Sequence, residues 1–509
     1  MPPRFFKITN MKRRKFIGLA GTGTGVALFG GTSVLLTACG GCNKEGMMNM
    51  GGAAPEVVEG AFDVLLPVPP TMPASAATLS AQRTTAGVFK GKTSSVSGYQ
   101  SGGILGSTLT ATKGDTVNAV FQNNLNETSN LHWHGLLTPA NMDGHPKDVA
   151  QPGGSLTYAF PVVNRAGTYW YHPHPDMKTA KQAYEGLAGF FLVTDAEEQA
   201  LDLPSGACDL PLVIQDKRAD ASGNFAYTPT DTDVMNGLLG ESILVNGVHS
   251  PFAEVVARTY RLRLLNGSNG RIYNLALSNG EAVMLIGSDG GLLAAPEAVT
   301  AILLAPGERA DVLVSFAGQS VGAEVFLESK TFDGGEYQGK QAFNILKFKV
   351  TESSTDSFEI PAVLSGYAPL PEAAATRSRS FDISNGGGHG GHGGGMMAMH
   401  NIGGKSYDES RIDETITAGA TELWTFDNTE GIDPHPMHLH GALFQVLDRT
   451  GGRGQVLPHE KGWKDTVLAM PGEKVRVIVA FGQEKGVFVF HCHNLEHEDS
   501  GMMLQREIN

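Results

Sequence analysis

The run Gly486-Val487-Phe488-Val489-Phe490-His491-Cys492-His493 carries an aromatic and β-branched strand straight into a cluster of metal-binding side chains, continued by Asn494-Leu495-Glu496-His497-Glu498-Asp499-Ser500-Gly501-Met502-Met503. On a strand, successive side chains point to opposite faces, so His491 and His493 look one way and Cys492 the other. One strand can therefore serve two metal centres. On the cysteine side, His497 and Met502 lie five and ten residues further on. A thiolate, an imidazole and a distant thioether are the ingredients of a blue-copper electron-transfer site, which still wants a second histidine. A closed zinc site would not need a thioether, and the four cysteines Cys39, Cys42, Cys208 and Cys492 cannot build a zinc ribbon.

The run has a copy in the first half of the chain. Gly167-Thr168-Tyr169-Trp170-Tyr171-His172-Pro173-His174 lines up with it without gaps, and Leu131-His132-Trp133-His134-Gly135 lines up with Met437-His438-Leu439-His440-Gly441. The first and last domains read as copies that differ at the cysteine side. Pro173 stands where the last domain has Cys492, Ser129 where it has His435, and Lys178 falls opposite His497. Only the last domain is expected to keep a blue-copper site.

Of the 16 histidines, eight form four His-x-His pairs, at 132/134, 172/174, 438/440 and 491/493. A single pair is weak, since alternate strand residues can chelate one zinc. Two pairs from each copied domain imply a cluster shared across an interface. His435, three residues before His438, completes the blue-copper set.

These residues, His-Cys-His followed by His and then Met, resemble the C-terminal signature of the multicopper oxidases, which include laccases, cuprous oxidases and bilirubin oxidases. The resemblance covers about Ala61 to the end. It implies an all-β fold of three cupredoxin-like Greek-key β-sandwich domains and four copper ions. Carried over position by position, type 1 copper takes His435, Cys492 and His497, with Met502 as weak axial ligand and Met503 as its rival. Type 2 copper takes His132 and His438. The type 3 pair takes His134, His172, His174, His440, His491 and His493. Asp143 and Glu498 occupy positions that resemble the family's proton-donor acids, against the alternative that both are solvated surface carboxylates.

Composition agrees with an all-β body. The 509 residues are 41% hydrophobic and 18% charged, enough for roughly three domains, and 65 glycines with 26 prolines punctuate short strands. Expected strands include Ser107–Ala111, Thr116–Val120, Leu156–Phe160, Thr168–Tyr171 and Phe190–Val193. A net charge of −14 argues against nucleic acid or another polyanion as partner. Residues 1–38 resemble a twin-arginine export signal, with Arg13-Arg14 and a lipobox-like Leu36-Thr37-Ala38-Cys39, so the body is expected in the periplasm or cell envelope, with a possible lipid anchor at Cys39. An uncleaved anchor and ordinary signal-peptidase cleavage are the alternatives.

The expected divisions are a tether over 39–60, a first domain over 61–200, a metal-free middle domain over 207–352, a linker over 353–404 and a last domain over 405–509. Cys208 reads as a buried thiol, and His145, His249 and His459 as surface or satisfied loop residues. The linker holds the Gly/His/Met-rich run 386–400 with Met396, Met397, Met399, His389, His392 and His400, whose thioethers suit Cu(I). This resembles the much longer methionine-rich insert of cuprous oxidases. The methionines that precede the type 1 histidine in some of those enzymes are missing from Gly431-Ile432-Asp433-Pro434-His435, where Asp433 reads as a turn residue or a substrate-orienting acid. The donor is thus Cu(I) or a phenol, with bilirubin or manganese a weaker third, the acceptor is O2, and the chain is expected to act as a monomer. A copper-free exported scaffold or a copper-storage protein is the non-enzyme alternative, and a two-domain nitrite reductase is disfavoured by length.

Overall fold

The structure is a computed structural model that describes residues 54–100, 103–335, 337–384 and 400–509. Contacts divide the chain into Met1–Asn49 and Met50–Asn509, and only the second is described. The expected export signal, Cys39 and most of the Gly/His/Met run lie outside the described residues. Among those described, no helix is long and apolar enough to cross a membrane.

Six sheets pair into three cupredoxin-like sandwiches. The first packs a sheet ordered Ser94–Gly98, Ala77–Ala86, Thr116–Asn123, Ser155–Pro161 against one ordered Thr71–Pro73, Thr108–Thr112, Gly189–Thr194, Gly167–His172, His132–His134. The last packs Arg377–Asp382, Thr421–Asn428, Glu473–Phe481, Ala442–Gly451 against Glu414–Ile416, Met503–Ile508, Gly486–Cys492, His435–Leu439, Thr466–Ala469. The middle sandwich pairs sheets of six and seven strands. Each has its own apolar core, as two-layer packing requires.

The strand alternation behaves as the sequence demands. Phe488, Phe490 and Cys492 face the core of the last sandwich, and Tyr169 and Tyr171 face that of the first. The intervening His491 and His172 are left to the opposite face. Register repeats as well: His438 pairs with His491 in the last domain, and His132 with His172 in the first. The two copies thus present their histidines from equivalent positions.

Two segments do more than connect. Arg377–Asp382, inside the stretch read as linker, pairs in parallel with Thr421–Asn428 and closes a sheet of the last sandwich. Its alternating Arg-Ser-Arg-Ser character hid it, because only every second residue is buried. Within the expected tether, Val57 is buried and the Val58 N–H donates to the Glu241 carbonyl, and just beyond it Val64–Leu65, in the stretch expected to open the first domain, instead adds to the middle domain's six-stranded sheet through Pro251–Val256.

Candidate metal centres

On the cysteine face of Gly486–Cys492, His435 Nδ1 lies 3.4 Å from Cys492 Sγ and 3.2 Å from His497 Nδ1, which is 3.7 Å from the same sulfur. His497 comes from the short helix Leu495–Asp499, and Met502, just after it, packs in the same buried cluster as Cys492. Met503 instead begins the next strand, paired with His491. Burial pushes the Cys492 thiol well up from its ordinary value and pushes His435 down to about 3. A neutral thiol among neutral imidazoles gains its charge most readily by binding a soft cation.

The opposite face meets the first domain. His132, His134 and His438 form one donor group, His134, His172 and His493 a second, and His174, His440 and His491 a third. All eight are buried. Burial first, then neighbouring imidazoles, hold most of them well below the usual histidine range. None of the donor groups found among the described residues uses a residue from 207–352.

Hydrogen bonding fixes which nitrogens face inward. A ring nitrogen opposite a carbonyl oxygen must carry the proton. His132 Nδ1 donates to the Asp143 carbonyl and His438 Nδ1 to that of Asp465, which leaves their Nε2 lone pairs facing each other at 3.4 Å. His440 Nδ1 donates to Asp143 Oδ2 and His491 Nδ1 to the Cys492 carbonyl, so two bare Nε2 atoms meet at 3.1 Å. His172 Nδ1 donates to the Pro173 carbonyl, and its Nε2 lies 3.4 Å from His134 Nδ1. Both His493 nitrogens are buried without hydrogen-bond partners. Opposed lone pairs repel unless a cation lies between them, and with metal–nitrogen bonds of about 2.0 Å such donors stand roughly 3.3 Å apart. The residues therefore fit copper on both faces.

The two candidate acids are buried, at 0% exposure for Asp143 and 3% for Glu498, which rejects solvated surface acids. Burial pushes Asp143 up to about 7 against the pull of Arg506 and the Thr138 hydroxyl. Glu498 brings Oε1 within 3.4 Å of His174 Nε2 and Oε2 within 3.1 Å of His491 Nδ1.

Several residues escaped the sequence reading. Asp465 accepts from His134 Nε2 at 3.0 Å and from Arg309 of the middle domain at 2.9 and 2.5 Å. Burial would raise Asp465, but Arg309 and His134 hold it well below the carboxylate range. Arg309 Nε also donates to the Thr168 carbonyl, so one guanidinium touches all three domains. Gly307 approaches so closely that a Cβ there would meet His493 at 3.0 Å and His134 at 3.1 Å. Buried Arg506 donates to the His440 carbonyl. The available signal was charge inside apolar strand pattern, as in Glu308-Arg309-Ala310-Asp311-Val312.

One other expectation changes, and two gain detail. Cys208 is only half-buried. His145 and His459 are buried rather than at the surface, with His459 pushed down to about 3 by burial despite the pull of Glu460. His400 is fully buried and stacks on His497. In the first domain the equivalent of the cysteine site is a polar knot, in which Ser129 Oγ donates to Gln182 and Lys178 Nζ to Thr128 Oγ1.

A sulfur-bearing donor set and a histidine cluster, served by one strand and shared between two cupredoxin-like sandwiches, define a copper oxidoreductase. Comparison with known proteins makes the class specific. Multicopper oxidase family models match residues 81–198 and 381–509. A multicopper oxidase of Staphylococcus haemolyticus is 35% identical over 437 residues, 85% of this chain and 88% of that protein. A laccase of Bacillus subtilis is 34% identical, covering 74% and 80%. The cell division protein FtsP of Escherichia coli is 33% identical, covering 87% and 92%. The crystal structure of the McoA multicopper oxidase of Aquifex aeolicus superposes with a TM-score of 0.80 at 34% identity, covering 87% of this chain and 99% of that one. The chain belongs to the multicopper oxidases.

Proposed function

We propose that the protein couples four one-electron oxidations of Cu(I) or a phenol to the reduction of O2 to two waters, with four coppers held by its own residues. His435, Cys492 and His497, with the Met502 thioether packed beside them, would hold type 1 copper. His132 and His438 would hold type 2, His134, His172 and His493 one type 3 ion, and His174, His440 and His491 the other. When bound, the coppers supply one-electron acceptance on the cysteine side and oxygen reduction on the histidine side. The single observation that carries this reading is the set of bare imidazole nitrogens opposed at 3.1–3.4 Å with their other nitrogens already donated.

The chain's own groups divide the remaining work. Cys492 is bonded directly into the backbone between His491 and His493, a short covalent path between the two faces. O2 + 4 H⁺ + 4 e⁻ gives 2 H2O, so protons must reach a buried cluster. Asp143, poised at about 7 beside His440, can hold and release a proton at neutral pH, and the Glu498 carboxyl group lies within 3.4 Å of His174 and 3.1 Å of His491, on a route by which protons can reach the cluster. We place the protein outside the cytoplasm on the twin-arginine segment, with lipidation at Cys39 and a monomeric state as parts of the same reading.

The FtsP relative favours a second reading, a scaffold of the same fold. The complete donor sets support the oxidase over it. Oxygen uptake by the copper-loaded protein with Cu(I) and with a phenol is the test: consumption of one O2 per four donor electrons is expected, and a colourless protein that ignores O2 leaves the scaffold or a copper store.

A further inference from the structure

Cys492, His435, His497 and Met502 are all at 0% exposure, so no donor touches the type 1 set without passing what covers it. Part of the cover is the end of helix Asp231–Asn236, whose last carbonyls a helix C-terminus leaves without partners. Two imidazoles take them. His497 Nε2 donates to the Met235 carbonyl at 2.9 Å, and His400 Nε2 donates to that of Val234 at 2.9 Å. His400 lies flat on His497, with ring centroids 3.9 Å apart and planes 16° from parallel.

Because His400 Nε2 carries the proton, Nδ1 carries a lone pair, and that atom is buried with no hydrogen-bond partner. Interior acceptors are seldom left unpaired, because the loss of water is not made good. His497 turns Nδ1 toward Cys492, and its other ring N–H, the one donor it could offer a phenolate oxygen, is already given to Met235. The surroundings of His497 therefore disfavour a phenol and offer one bare imidazole nitrogen, which suits copper.

We propose that His400 is the docking ligand for cuprous ion: Nδ1 binds the incoming ion and the stacked rings carry its electron to His497. The inference rests on the oxidase reading above and narrows its donor to Cu(I). The ion arrives as Cu(I), gives one electron to the type 1 centre and leaves as Cu(II). The imidazole is unchanged, no proton moves in this step, and O2 is the final oxidant at one molecule per four ions.

The test uses the copper-loaded protein and Ag(I), a soft monovalent ion that does not give up an electron here. Calorimetry should find an Ag(I) site in the wild type whose filling shifts the blue-copper absorption, and His400→Phe, which keeps a flat ring but no lone pair, should lose both. Cu(I) kcat/KM should fall at least tenfold in His400→Phe and in His400→Ala, while His400→Ala, by uncovering His497, should raise phenol kcat/KM at least threefold. Ag(I) binding and band shift like the wild type's in the variants, or a parallel fall with both donors, overturns the proposal. If His400→Phe does not fold, His400→Asn, which retains a donor for Val234, decides by the same Ag(I) criterion. A wild type that is not blue and consumes no O2 defeats the oxidase reading itself, whereas a blue enzyme whose Cu(I) turnover ignores position 400 defeats only the role of His400.

Discussion

Asp143 sits between two jobs that need not coincide, since its carboxylate orients His440 and its pKa of about 7 suits it to proton delivery. Asp143→Asn keeps an acceptor oxygen for the imidazole but cannot deliver a proton. Stopped-flow traces should show reoxidation by O2 slowed about 100–10,000-fold, the range expected for losing a general acid, with reduction of the type 1 centre within about twofold of wild type. Equal slowing of both phases would make Asp143 structural only. A second residue tests burial rather than chemistry. Lys217 is fully buried, its ammonium lies over Tyr184 at 4.4 Å, and no acceptor receives its protons. Burial, opposed by Asp216, pulls it from 10.5 to about 8. The unfolded chain then binds the proton more tightly, so stability rises with pH between about 8 and 10.5 and the penalty is complete below about 8. At roughly 1.4 kcal/mol per pH unit the penalty is about 3 kcal/mol at neutral pH. Lys217→Met should raise the denaturant midpoint at pH 7 and lose that advantage towards pH 10; a variant no more stable at pH 7 would refute the account.

At the scale of elements, the strands were the most legible feature. The run Gly167–His172 and its copy Gly486–Cys492 alternate core aromatics with outward histidines, and both fold in the register their alignment implies. The donor residues were legible for the same reason, since His-x-His on a strand fixes the face. What sequence could not reveal were contacts made across hundreds of residues by elements with no metal-binding signature. Arg309 and Gly307 belong to a strand end and a turn of the middle domain, Asp465 immediately precedes the edge strand Thr466–Ala469 of the sheet that carries Cys492, and His400 follows a glycine-rich run with no periodicity at all. Gly307 gives the sharpest test of the middle domain's part. With φ at +84° and two imidazoles within about 3 Å of any added Cβ, Gly307→Ala should displace His493 or His134. Copper content should fall below four per molecule while the blue band persists; full copper content would mean the middle domain does not shape the cluster.

Across the whole molecule, duplication explains why one end carries two kinds of centre. Each outer sandwich brings two histidine pairs to a shared interface, but only the last kept the residues that make a cysteine site, and the first filled the same place with Ser129, Gln182 and Lys178. Among the described residues the middle sandwich adds no side chain to these donor groups, yet Arg309 joins the Thr168 carbonyl of the first domain to Asp465 of the last. The central claim is that this arrangement stores and delivers four electrons. An anaerobic reductive titration of the copper-loaded protein, followed by a measured pulse of O2, tests it most directly. The account predicts that four electrons per molecule bleach the blue band and reduce the histidine cluster, and that one O2 restores the colour. Uptake of a single electron per molecule, or a bleached protein that O2 leaves colourless, would contradict it.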